Sequence, residues 1–133
     1  MKRTIQVVAV LGVFFFLNCT SSNPMKLVYS DQNNNVYVVS SDALSYDPIT
    51  ERESSSGVYS GGEAFRVSLE PSEYEEIMNL AQKIANDPEG KSNKREMLTS
   101  VLTLVDDRKE SAFILKRSEM RTELESLLQK HKE

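Results

Sequence analysis

The chain has 133 residues, with 16 basic against 20 acidic side chains, a formal net charge of −4, one histidine, one cysteine and no tryptophan. The acidic balance excludes a broad nucleic-acid surface, which needs cations to neutralise phosphates, and a broad electrostatic footing on anionic lipid. A lone cysteine excludes an internal disulfide, and the length sets an expectation of one domain with an adequate core.

Met1, Lys2 and Arg3 open the chain, followed by an apolar run from Ile5 to Leu17 containing Gln6, then by Asn18, Cys19 and Thr20. Positive, then apolar, then small and polar is the layout of an export signal. The apolar run is too short to span ~30 Å of hydrocarbon, which takes about 20 residues, and it has no polar face to suit a surface helix. The sequence Phe16-Leu17-Asn18-Cys19 closing this run resembles the lipobox of bacterial lipoproteins, in the loose form seen in spirochaetes. The resemblance covers residues 1–20 and implies cleavage before Cys19 and acylation of its thiol. Lipidation at Cys19 would also account for an odd cysteine in an exported protein. As a nucleophile Cys19 has little support, because the sole histidine, His131, lies at the other end of the chain. With Thr20 and no Asp after the cysteine, the resemblance implies sorting to the outer membrane. Residues 1–18 are thus expected to be a signal peptide, 19–24 a short polar tether and 25–133 a single domain. Fully extended, Thr20–Pro24 reach about 17 Å, which holds the domain close to the bilayer and favours a neighbour that is itself membrane-bound.

From Met25 the pattern turns strand-like. "MKLVYS" and "VYVVSS", separated by the turn-forming "DQNNN", predict an antiparallel hairpin. "ALSYDPITERE" follows, with Pro48 restricting it to an edge or a bend. The glycines at 57, 61 and 62 supply a flexible connection, and "AFRVSL" alternates Phe65, Val67 and Leu69 inward with Arg66 and Ser68 outward. "PSEYEEIMNLAQKIAND" predicts a helix with Pro71 and acidic residues in its first turn, and Tyr74, Ile77, Ala81 and Ile84 on one face beside Met78 and Leu80. "NDPEGKSNKRE" predicts a surface loop. "MLTSVLTLV", "DDRKE" and "SAFILKR" predict strand, turn and strand. Ser118 is placed to cap a last helix with Met120, Leu124, Leu127 and Leu128 as its apolar stripe, and with Glu119 and Lys130 complementing its dipole. The fold class expected is α+β, an antiparallel β-sheet meander with two helices packed on one face.

Candidate sites are few. Asp31, Asn33, Asn35 and Asp42 fall at places 1, 3, 5 and 12 of a calcium loop, but Val36 replaces the obligatory glycine and the flanks are strands, so a solvated hairpin turn is the better account. "SSSGVYSGGE" lacks the lysine and hydroxyl of a phosphate-binding loop and leads into a strand. A hydrolytic triad has one terminal histidine to draw on, and the acidic residues are spread as solubilising charge. Nothing in the pattern calls for a metal or a cofactor, and a non-enzymatic role is expected. Tyr29, Tyr37, Tyr46 and Tyr59 are embedded in Ser, Asn and Gly, the mixture that binding loops use because tyrosine supplies contact area at low entropic cost. A surface of Tyr37, Tyr46 and Tyr59 is therefore the expected contact for an envelope or host protein, and an edge strand could accept a partner's strand. The alternative is a periplasm-facing structural or assembly accessory whose sheet packs on a membrane protein.

Overall fold

The computed structural model describes residues 23–132; the signal and lipidation expectations, including Cys19, lie outside them. Seven strands form one antiparallel sheet: β1 (Lys26–Ser30), β2 (Val36–Val39), β3 (Ala43–Asp47), β4 (Phe65–Ser68), β5 (Lys91–Ser92), β6 (Ser100–Asp106) and β7 (Lys109–Leu115). Helix α1 (Pro71–Asn86) lies between β4 and β5, and α2 (Glu119–Gln129) follows β7. The order across the sheet is β4-β3-β2-β1-β6-β7-β5, so the first strand in sequence is the central one.

Local chemistry explains the boundaries. Asn34 turns the β1–β2 hairpin with φ of 67° and Asp107 turns β6–β7 with φ of 50°, the left-handed conformation that Asn and Asp tolerate best after glycine. Pro48 immediately follows the last residue of β3, where its missing N–H costs the ladder nothing. Helix α1 starts with Pro71 at its first position, and the Glu73 carboxylate accepts a hydrogen bond from the Glu70 amide at 3.1 Å. Ser118 caps α2 as expected, its hydroxyl accepting the Arg121 amide at 3.1 Å. The stretch expected to be loop after α1 instead contains β5, which closes the β7 edge by pairing Lys91 with Leu115 and Ser92 with Ile114.

Register decides what is buried. One cross-strand row on the inner face runs Phe65, Tyr46, Tyr37, Tyr29, Leu102, Phe113, and the next runs Val67, Leu44, Val39, Leu27, Leu104. Both helices cover this face, contributing Ile77, Leu80, Ala81 and Ile84 from α1 and Leu124 and Leu128 from α2 to the same core. Each fully buried leucine there contributes roughly 1.5–3 kcal/mol. The opposite face carries Val28, Val36, Val38, Val101, Val105 and Ile114, half-buried and outside that core.

The two ends of the sheet gather different elements. The near end, where β1 begins, holds Met25, whose carbonyl accepts the Tyr74 hydroxyl at 2.6 Å, together with the β2–β3 and β6–β7 turns. The far end gathers the β1–β2 turn (31–35), the loop 93–99 before β6 and the start of α2.

Candidate functional site

Tyr37 and Tyr46 do not form a surface. They stand opposite one another on the inner face, each 1% exposed, with ring centroids 4.6 Å apart inside the aromatic row. The correction follows from parity: both side chains share the face that carries Leu27, Val39 and Leu44, and that face meets the helices. The Tyr46 hydroxyl donates to the Gly61 carbonyl at 2.8 Å, and the Lys132 ammonium donates to both, at 3.0 Å and 2.9 Å, while lying 4.6 Å from the Tyr46 ring centroid. Burial pushes the Tyr37 phenol well above its ordinary range, and the neighbouring Tyr46 and Asp31 push the same way. Tyr59 is half-buried, its hydroxyl accepting from Asn35 Nδ2 at 2.9 Å. Tyr46 and Tyr59 hold the 48–64 segment onto the sheet.

Of the residues at calcium-loop spacing, Asp31, Asn33 and Asn35 serve the β1–β2 turn. Asp31 Oδ1 accepts the Asn33 and Asn35 amides at 2.8 Å and 2.9 Å, and Oδ2 accepts Asn35 Nδ2 at 2.8 Å. Asn35 Oδ1 in turn accepts the Ile49 amide at 3.1 Å. Asp42 sits at the other end of β2, accepting from the Ser40 hydroxyl at 2.9 Å.

Two arginines shape the far end. Arg95 donates to the Thr99 carbonyl at 2.9 Å, to Asn34 Oδ1 at 2.9 Å and to the Asp31 carbonyl at 3.4 Å, tying the 93–99 loop to the β1–β2 turn. Thr99 closes the loop on itself, its hydroxyl donating to the Glu96 carbonyl at 2.7 Å. Arg121, on the first turn of α2, donates from Nη1 to the Leu98 carbonyl at 2.7 Å and from Nε to Glu125 Oε1 at 3.0 Å. Glu125 Oε1 also accepts the Tyr29 hydroxyl at 2.6 Å. Burial first, and the Glu125 hydrogen bond second, push the Tyr29 phenol far up, so it remains a donor at any physiological pH. Beside it the Ser100 hydroxyl is buried without a hydrogen-bond partner among the described residues.

This clamping has a visible product. Leu98 is held in the left-handed region with φ of 70°, which costs a non-glycine residue about 1–2 kcal/mol. Met97 beside it is 90% exposed and Leu98 43% exposed. Through the Leu98 carbonyl this exposed apolar pair is tied to Arg121, which lines a polar cleft of about 390 Å³ whose walls come from the β1–β2 turn and from residues 117–129, with Asp31, Asn33, Arg117, Arg121, Thr122 and Glu125 among them. Amide, guanidinium, hydroxyl and carboxylate groups side by side suit hydrogen bonding to another polypeptide. His131 stands apart from the cleft, its Nε2 3.5 Å from the Glu73 carboxylate.

Sequence patterns place 86–96 in a surface loop and Met97 in a strand, and they give Arg121 no role. A signal for Arg121 was present: it precedes Leu124 by three residues and Leu128 by seven, which puts it within the apolar stripe of α2, four residues before Glu125. Compared with protein-family models, curated proteins and solved structures, the chain finds no match.

Proposed function

We propose that this chain is a lipid-anchored lipoprotein of the cell envelope, held in the outer membrane through Cys19, and that it acts as a non-enzymatic module binding an envelope or host protein with the far end of its sheet. The clamped 93–99 loop beside the polar cleft carries this reading, because ordering an exposed apolar tip is worthwhile where a partner covers it. The attachment point supports it: β1 begins at the near end, so the cleft lies about 20 Å further along the strands, at ~3.3 Å per residue. The lipobox-like Phe16-Leu17-Asn18-Cys19 supports the anchor, and acyl chains contribute ~0.8 kcal/mol per buried methylene.

A second reading has its own observation. The sheet face that neither helix covers among the described residues, with half-buried Val28, Val36, Val38, Val101, Val105 and Ile114, would suit a structural or assembly accessory packed permanently on a membrane protein. One experiment separates the two. Chemical crosslinking in intact envelopes is expected to trap a partner that Arg117→Glu abolishes and Val38→Glu leaves in place. The opposite pattern favours the accessory, and loss of neither refutes both surfaces. Palmitate labelling of the wild type but not of Cys19→Ala checks the anchor, and protease treatment of intact cells separates host-facing from periplasmic exposure.

A further inference from the structure

Charge accounting in the cleft narrows what it binds. Two carboxylates border it, and both are already engaged: Asp31 by two backbone amides and Asn35 Nδ2, Glu125 by the Tyr29 hydroxyl and Arg121 Nε. The cations are not matched in the same way. Arg117 is exposed and has no ion-pair partner among the described residues. Arg121 is only 2% exposed, and while its Nε and Nη1 are occupied, Nη2 has no hydrogen-bond partner among the described residues. Nη2 is not among the buried unpartnered atoms and lies on a residue that lines the cleft, so it is free to meet an acceptor there, and the fork of a guanidinium matches a carboxylate best. The Leu98 carbonyl is held by the cleft residue Arg121, and Leu98 and its chain neighbour Met97 are both exposed.

We infer that the cleft takes an extended acidic peptide segment of a protein partner, whose carboxylate is received by Arg117 and Nη2 of Arg121 while an adjacent aliphatic side chain rests on Met97 and Leu98. This rests on the protein-binding reading of the same end of the sheet. The cleft's volume of about 390 Å³ is that of a few residues of polypeptide. The loop is already tied down by Arg95, Thr99 and Arg121, which lowers the entropic cost of association. An anionic membrane is the less favoured occupant, since Asp31, Glu96 and Glu125 share this end of the molecule with the arginines.

The test uses the detergent-solubilised full chain and a phage-displayed library of random dodecapeptides. Enriched sequences are expected to share an Asp or Glu beside an aliphatic residue. A synthetic peptide from that set, followed by fluorescence polarisation, should bind about tenfold more weakly to Arg117→Glu and to Met97→Asp. It should bind about equally to Arg108→Glu, a charge reversal at an exposed position in the β6–β7 turn at the opposite end of the sheet. Converting the peptide's carboxylate to an amide should reproduce the loss, and added salt should weaken binding. Arg117 and Met97 are exposed, so these variants leave the core untouched. Enrichment of basic or purely apolar peptides, failure to enrich any carboxylate-bearing sequence, or indifference to Arg117→Glu overturns the inference. So does binding of phosphatidylglycerol vesicles that Met97→Asp abolishes, which would make the tip a membrane contact. If envelope crosslinking still traps a partner through Arg117 in any of these cases, protein binding stands and only the acidic-peptide assignment falls.

Discussion

Gly61→Ala is a severe test of how the 48–64 segment is held. Gly61 does not occupy the left-handed region, so alanine meets no backbone objection there and the whole effect is steric. A Cβ at this position would lie 2.1 Å from Asn35 Oδ1, 2.9 Å from Asn35 Cγ and 2.6 Å from Pro48 Cβ. Asn35 is 2% exposed and cannot yield without disturbing its bonds to Asp31 Oδ2, the Tyr59 hydroxyl and the Ile49 amide. Losing two or three such bonds, at about 1 kcal/mol net each with the repulsion added, gives a destabilisation of about 2–4 kcal/mol. For a domain of this size that lowers Tm by roughly 8–16 °C. Gly57→Ala is the internal control: nothing lies within 4 Å of its added Cβ, and only the φ of 71° opposes the change, at about 1 kcal/mol. The assay is thermal and urea unfolding followed by circular dichroism. Adding Asn35→Ala to Gly61→Ala relieves the closest contact, so the double variant should lose less than the sum of the single ones. A Tm for Gly61→Ala within about 2 °C of wild type, or strict additivity in the cycle, would refute the packing argument.

Arg121→Met leaves Glu125 without its cation and the Leu98 carbonyl without its donor; because Glu125 is partly exposed, about 2–3 kcal/mol of stability should be lost, and the Leu98 and Thr99 amides should exchange hydrogen faster. Raising the pH should unfold the protein through its buried phenols. Tyr29 and Tyr37 have folded-state pKa values above the unfolded one, so their stabilisation is complete below pH ~10 and declines above it by about 1.4 kcal/mol per pH unit for each. Far-UV circular dichroism against pH should show that slope, and Tyr37→Phe should flatten it. At acid pH the sign reverses for Glu73, whose carboxyl is held low by the Glu70 amide first and by Lys130 and His131 in addition. Its contribution is present above the ordinary glutamate pKa of about 4.3 and lost as pH falls below it; a Glu73 titration midpoint by NMR at or above that value would contradict the contact.

Periodicity was enough to place both helices and every strand but β5, since alternation in "AFRVSL" and the i, i+3, i+4 spacing of Ile77, Leu80, Ala81 and Ile84 act within one element. Pro71 and Ser118 mark helix starts for reasons equally local, and both helices begin there. Register is a relation between distant segments, and there the reading failed. Nothing local states that Tyr37 pairs with Tyr46 and Tyr29 with Tyr37, yet those pairings turn a supposed binding surface into an aromatic row of the core. The β5 pairing depends equally on where β7 ends up, and two residues carry no period. Met97 and Leu98 looked like the first residues of β6, which begins at Ser100; the arginine clamps that peel them away come from residues brought near only by the fold. The cleft was illegible for the same reason, its walls coming from positions near 31 and near 121.

The central place of β1 has a mechanical consequence. Whatever precedes residue 25 joins the molecule at a strand bonded along its length to β2 on one side and β6 on the other. A pull between that point and the partner proposed for the far end would run parallel to the strand, so both ladders would be loaded in shear and their hydrogen bonds would have to give way together. Attached at β4 or β5 instead, the same tug would unzip an edge one bond at a time.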